Sequence, residues 1–233
     1  MATRKTYISD QASIKDRRFV CSWSGGKDCA LALYRAISRG GIPDALLTML
    51  TEEGERSRSH GVHVSLYKAQ AESLGIRLVT SPASWMDYEP AFLTELNELK
   101  SGGVDVGVFG DIDIDQHRQW AEATCSKAGI DSYLPLWGQT RESLLHDFIS
   151  FGFRATIIAV KEGSVAPDFL GKELTHDLIE ELDASGVDIS GEGGEYHTFV
   201  FDGPLFSRPL QIVGLDPVVR DGYRYLDIAE AKS

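Results

Sequence analysis

Hydrophobic and polar positions change their period repeatedly along the chain. Short apolar runs at residues 19–21, 45–50, 76–79, 104–109, 132–134 and 154–160 have the length and apolar content of strands. Between them lie longer stretches with a helical period. Residues 27–38 place Ala30, Leu31, Leu33, Tyr34 and Ile37 on one face and stop at Gly40-Gly41. Helices are likewise expected over 64–74, ending at Gly75, and over 88–100, ending at Ser101-Gly102-Gly103. Two more are expected over 117–128 and 142–150. Strand and helix alternate in this way to about residue 160. That order predicts an α/β fold, with a parallel sheet and helices on both its faces.

The alternation breaks near residue 161. One more helix is expected over 174–182, followed by a glycine-rich loop over 186–194. Strands are expected over 197–201 and 210–218. Asp221-Gly222, set between alternating residues in 218–229, is a hairpin signal. The expected organisation is a loose tail over 1–16, an α/β domain over 17–140 and a small C-terminal α+β domain over 141–233.

Charge narrows the partners. The chain has 233 residues, with 23 Lys and Arg against 35 Asp and Glu, so its net charge is −12. Gripping a nucleic-acid backbone requires clustered cations, and no basic run here exceeds Arg17-Arg18, which disfavours broad nucleic-acid binding. Three cysteines without a CxxC pair argue against a disulfide framework and a zinc site, and favour a reducing cytoplasm. Neither a signal peptide nor a membrane span is legible. A homodimer is a possible assembly.

The chemistry begins at residues 19–36, FVCSWSGGKDCALALYRA. An expected strand runs into two glycines, a lysine and an aspartate, and then into an expected helix. Glycines let backbone approach an anion, amides at a helix N-terminus point at it, and Lys27 adds a cation. The corner predicts phosphate binding. It is not a Walker loop, because Cys21 stands where the first glycine belongs and Asp28 follows the lysine.

Ser24-Gly25-Gly26-Lys27-Asp28-Cys29 resembles the PP-loop, SGGxDS, of the ATP pyrophosphatases, with Cys29 in place of the last serine. Those proteins belong to the Rossmann-like adenine nucleotide alpha hydrolase superfamily. A second string runs Gly191-Glu192-Gly193-Gly194-Glu195-Tyr196-His197-Thr198-Phe199-Val200, then Asp202-Gly203-Pro204-Leu205-Phe206. It is similar to the signature of the diphthine–ammonia ligases. Thr48-Met49-Leu50, His60, Gln70-Ala71, Leu74-Gly75-Ile76 and Pro135-Leu136-Trp137-Gly138 agree in order, so the resemblance spans about residues 18–213. It implies that a carboxylate attacks the α-phosphate of Mg-ATP, releasing pyrophosphate. Ammonia then displaces AMP to give an amide. In the family, the carboxylate belongs to diphthine, a modified histidine of elongation factor 2; a small carboxylate is the other substrate considered.

The resemblance implies nucleotide contacts at Ser24, Gly25, Gly26, Lys27, Asp28, Cys29, Thr48 and Met49, to which Gly110 is added. Catalytic roles are expected of Lys27, Glu192, Glu195 and His197. Substrate contacts are expected of His60, Glu192, Gly193, Gly194 and Glu195. Asp111 and Asp113, after a buried strand, are candidates for Mg²⁺, with helix capping by Asp113 or Asp115 as the competing role. The polar loop 52–63 carries His60, Arg56 and Arg58 and has the composition of a mobile lid. Cys29 and Cys125 lack a base at local spacing and are not expected to be nucleophiles. Two other functions remain open at this point: a different AMP-forming enzyme of the same fold, and an ATP-binding regulator without turnover.

Overall fold

The structure is a computed structural model that describes residues 7–8 and 14–230. In chain order the elements begin with β1 (Tyr7–Ile8), β2 (Arg18–Ser22), α1 (Lys27–Ser38), β3 (Ile42–Leu50), α2 (Val64–Leu74) and β4 (Arg77–Pro82). Next come α3 (Tyr88–Ser101), β5 (Val106–Val108), α4 (Asp115–Ala128), β6 (Asp131–Tyr133) and α5 (Arg141–Ser150). The chain ends with β7 (Arg154–Lys161), α6 (His176–Ala184), β8 (Tyr196–Asp202), β9 (Ile212–Arg220) and β10 (Tyr223–Glu230). No helix among the described residues is long and apolar enough to cross a membrane.

The elements form two compact units. The first takes the chain up to Ser24, then Asp28–Ser59 and Ile76–Gln139. The second takes Gly25–Lys27, His60–Gly75 and the chain from Thr140 onward.

The first unit is built on a parallel sheet of order β1-β6-β5-β2-β3-β4. Adjacent residues of a strand face opposite sides, so Phe19 and Val20 sort the helices between the two faces. Val20, Leu47 and Met49 share a buried cluster with Phe92, Leu96 and Leu99 of α3 and with Ala121 and Cys125 of α4. On the opposite face, a Cβ added to Gly41 would lie 3.0 Å from Phe19 and from Ile14 and 2.9 Å from the α1 carbonyl of Ala36. The parallel sheet flanked by helices agrees with the expected fold class. After β1 at one edge, the chain crosses to β2 in mid-sheet and winds outward to β4. It then returns to β5 on the other side, which makes the β2/β5 boundary a topological switch point.

Two expectations change. Residues 154–161 were to extend the alternating pattern, but β7 pairs antiparallel with β8 and β10 in a separate sheet of order β8-β7-β10-β9. An apolar run signals burial and does not reveal the direction of its neighbours. Tyr7–Ile8, read as part of a loose tail, pairs with Ser132–Tyr133, and Ile14 is fully buried. The other residues of that tail, 1–6 and 9–13, lie outside the described residues.

The second unit packs α2, α5 and α6 with the antiparallel sheet. Gly75 ends α2 in the left-handed region at φ 66°, donating its amide to Ala71 and Glu72. Thr140 and Thr175 cap α5 and α6 through their side chains. Asp221 and Gly222 both take positive φ, 50° and 77°, as a tight hairpin turn between β9 and β10 requires.

Candidate functional site

The glycine–lysine corner is held against β8. The Gly25 carbonyl accepts from the Val200 amide at 2.9 Å and from Gln70 Nε2 at 3.2 Å. Gln70 also donates to the Val200 carbonyl at 2.7 Å. The Lys27 amide donates to Thr198 Oγ1 at 3.1 Å. Gly25 sits at φ 74°, where a side chain is strained. A Cβ there would lie 2.8 Å from Tyr67 and 2.9 Å from Gln70, both fully buried. The corner is therefore a fixed piece of backbone.

Lys27 is 6% exposed, with Nζ 5.9 Å from the centre of the Tyr196 ring. A buried ammonium carries a desolvation cost that a bound anion can offset. Its charge also acts on two histidines. The His60 and His197 rings lie close and tilted, centroids 4.6 Å apart and 30° between planes. Burial, and then Lys27, push His197 down to about 4. Burial first, then His197 and Lys27, hold His60 well below its ordinary range. Both imidazoles are neutral near pH 7, and His60 Nδ1 is buried without a hydrogen-bond partner. A Cβ on Gly26 would meet His60 Cε1 at 2.7 Å, so this glycine is what lets the imidazole approach the corner.

The glycine-rich turn is tied down at several points. Asp188 accepts from the Ser190 amide at 3.1 Å, Ser190 Oγ at 3.2 Å, the Glu192 amide at 2.9 Å and Arg141 Nη1 at 2.6 Å. Burial alone would push Asp188 up, but these donors hold its carboxyl below its ordinary value. Tyr196 Oη donates to the Ile189 carbonyl at 2.5 Å and Tyr223 Oη to the Gly194 carbonyl at 2.7 Å. Gly191 and Gly194 take φ 70° and 78°. The Glu195 carboxylate lies over Gly193, where a Cβ would stand 2.5 Å from Oε1. Its Oε2 is buried and unpartnered, an acceptor lacking a donor. Glu192 is half-buried. The second unit thus brings Gly25, Gly26, Lys27, His60 and His197 into one neighbourhood.

In the first unit, Ser24 Oγ donates to Cys29 Sγ at 3.4 Å. Cys29 is 4% exposed, and its carbonyl receives Cys21 Sγ at 3.8 Å. A thiol in place of a serine hydroxyl here is an acceptor inside the core. The free cysteines are all buried. Burial pushes Cys125 up to about 12 and Cys21 well above its usual range, so these thiols are not poised as thiolates.

Gly110 fits flush against the start of α1, since a Cβ would lie 2.8 Å from the backbone of Asp28 and Cys29. Thr48 and Met49 are both buried, Thr48 Oγ1 donates to the Trp23 carbonyl at 2.7 Å, and the Met49 carbonyl accepts from the Arg58 amide at 2.9 Å. The loop expected to be a lid is pinned here: Thr51 donates to the Arg56 carbonyl at 2.7 Å, and the Arg58 guanidinium lies 5.3 Å from the centre of the Trp85 ring.

Asp111 pairs with His117 Nδ1 at 3.4 Å, and Asp113 is exposed. Helix α4 starts at Asp115 after the N-cap residue Ile114, whose side chain makes no cap bond. Among the described residues, no group of three or more His, Cys, Asp or Glu could hold a metal. One or two carboxylates completed by phosphate oxygens and water are an ordinary set for Mg²⁺, which Asp111 and Asp113 can supply.

Several contributors escaped the sequence reading. Asp188, two residues before Ser190 and three before Gly191, has the spacing of a side chain that caps its own turn. Arg141, Arg220 and Tyr223 carry no local signal.

The parallel sheet with a switch-point corner defines a Rossmann-like α/β protein, here carrying an additional antiparallel unit. Residues 17–132 match the family model described as the diphthamide synthase N-terminal domain, and residues 140–233 match that of the diphthamide synthase C-terminal domain. The chain belongs to the diphthamide synthase family. A Homo sapiens relative named diphthine–ammonia ligase is 34% identical over 231 residues, spanning 88% of this chain and 86% of its own length. The Danio rerio protein of that name is 28% identical over 225 residues, spanning 84% of this chain and 86% of its own. A Schizosaccharomyces pombe relative of that name is 27% identical and matches over 36% of its own length.

Proposed function

We propose that this chain is an ATP-dependent ligase that forms AMP and pyrophosphate, adenylating a carboxylate and then amidating it with ammonia. Family membership supports the reaction class. The carrying observation is the corner Gly25–Lys27, where a buried ammonium, rigid glycine backbone and two neutral imidazoles meet.

In this reading, the corner binds the outer phosphates of ATP and leaves the α-phosphate open. A carboxylate oxygen attacks that phosphorus, and the bond to the bridging oxygen breaks. Pyrophosphate departs into the charge of Lys27. Mg²⁺, held through Asp111 and Asp113, would neutralise charge on the phosphates. Ammonia nitrogen then bonds to the acyl carbon, AMP leaves, and the proton lost by nitrogen passes to Glu195 or His197. Glu195 is suited to that by its unpartnered buried oxygen, and His197 by its neutral ring. Glu192, Gly193 and Gly194, with His60, form the substrate face. The acyl substrate is the diphthine carboxylate that the relatives' name specifies, and the buried free thiols accord with a cytoplasmic setting.

Substrate-dependent exchange of [³²P]pyrophosphate into ATP tests the reading. Exchange with diphthine-bearing elongation factor 2, and amide formation on adding ammonia, are expected. Glu195→Gln lowers amide formation while ATP affinity holds. ADP as the product, or AMP formation indifferent to any carboxylate, would overturn the mechanism.

A further inference from the structure

The C-terminal hairpin, β9 and β10, matches neither glycine-rich motif, and seven of the nine residues of β9 are exposed. A segment that buries so little adds little to a core. Its inward residues nevertheless reach both histidine-bearing segments. Tyr223 places its ring 5.5 Å from that of His197, 26° from parallel, and donates its hydroxyl to the Gly194 carbonyl at 2.7 Å. Arg220 donates to the Gly61 carbonyl, next to His60, at 3.1 Å. The Arg220 guanidinium is itself held over the Tyr225 ring, 4.2 Å from its centre.

Both receiving positions are glycines in the left-handed region, Gly61 at φ 66° and Gly194 at φ 78°. A Cβ on Gly194 would stand 2.8 Å from Tyr223 Oη, and one on Gly61 would collide with the Arg220 guanidinium. The two segments are shaped to admit the hairpin's polar atoms. One hairpin therefore fixes the backbone beside both rings, and those rings meet at 4.6 Å.

We propose that Tyr223 and Arg220 are positioning residues: they hold His197 and His60 in the close, tilted arrangement beside Lys27 that the reaction uses. The kinetic side of this rests on the ligase reading; the placement of the rings does not. Tyr223 acts on His197 directly and on the glycine-rich turn through Gly194. Arg220 acts on His60 through the Gly61 carbonyl. Neither is assigned contact with substrate.

The test uses the full chain with Tyr223→Ala, Tyr223→Phe, Arg220→Met and, as a control on the exposed strand, Val218→Ala (Val218 is 48% exposed). Imidazole signals of His60 and His197 are followed by NMR without ligand, and AMP formation by steady-state kinetics. Tyr223→Ala is expected to move the His197 signals and lower kcat more than tenfold, while KM for ATP changes by less than about threefold. Tyr223→Phe, which keeps the ring and loses only the bond to Gly194, leaves the His197 signals in place and lowers kcat by about three- to tenfold. Arg220→Met moves the His60 signals most, with a smaller shift at the neighbouring His197, and Val218→Ala moves nothing.

Unmoved His197 signals in folded Tyr223→Ala would overturn the proposal, as would losses of rate that only track the unfolded fraction. Should Tyr223→Ala fail to fold, Tyr223→Phe and Arg220→Met decide: unchanged kcat in Phe together with unmoved His60 signals in Met refutes positioning. A wild-type chain that forms no AMP with any carboxylate would sink the ligase reading, while the imidazole signals would still decide the placement.

Discussion

Replacing Gly25 by alanine tests whether the phosphate corner is a rigid, prebuilt element. Two costs are visible. The residue sits at φ 74°, a region that disfavours an L side chain by about 1–2 kcal/mol. The new Cβ would also stand 2.8 Å from Tyr67 Cε1 and 2.9 Å from Gln70 Oε1. Both neighbours are fully buried, and Gln70 is held by two hydrogen bonds to Gly25 and Val200, so neither can withdraw cheaply. Overpacking of this kind adds about 1–3 kcal/mol. The expected loss is therefore about 2–5 kcal/mol, read by urea unfolding followed by circular dichroism. Gly26→Ala provides the contrast, since its φ is not in the left-handed region and its first obstacle is the half-buried His60 ring at 2.7 Å. That ring can swing aside, so stability falls by only about 1–2 kcal/mol, yet the approach to the corner is blocked and ATP binding weakens at least tenfold. A Gly25→Ala protein that loses less than about 1 kcal/mol would refute the idea of a rigid corner. So would a Gly26→Ala protein that binds ATP as the wild type does.

Asp188→Ala should reduce stability by about 1–3 kcal/mol, because it strands two amides, a hydroxyl and Arg141 at a partly exposed site. It should lower turnover more than ATP affinity, since the carboxylate shapes the turn that carries Glu192 and Glu195; equal losses in both would count against that role. The paired histidines also predict a pH dependence. An unfolded imidazole binds its proton near pH 6.5, whereas folded His197 does so only near 4. Between those values the unfolded state holds more protons, so stability is complete above about pH 6.5 and falls as pH drops toward 4. After allowance for partial exposure, His197 contributes roughly 2 kcal/mol to that loss, and His60 adds to it with the same sign. The depressed carboxyls of Asp44, Glu173 and Asp188 act below about pH 5, so urea midpoints across pH 5–7 isolate the imidazoles. A flat profile there, or one unchanged in His197→Gln, would refute the buried-neutral assignment.

The sequence by itself determined the elements of the parallel sheet from β2 to β6, the corner that follows β2 and the hairpin at Asp221-Gly222. Those features are local: apolar periodicity, a glycine after a helix and a turn pair act over a few residues. It also carried both family strings. Tertiary structure alone decided that β7 leaves the parallel sheet for an antiparallel one. A buried strand is apolar on both faces whichever way its neighbours run. Only the folded chain brings Thr198 to the Lys27 amide, across 171 positions, and Arg220 to the Gly61 carbonyl, across 159. Such partners leave no trace in spacing, because a hydrogen bond between distant segments is set by how the chain packs. The two histidines are the sharpest case. Each is an ordinary residue in its own stretch, and burial in the folded chain, reinforced by the charge of nearby Lys27, is what keeps both neutral.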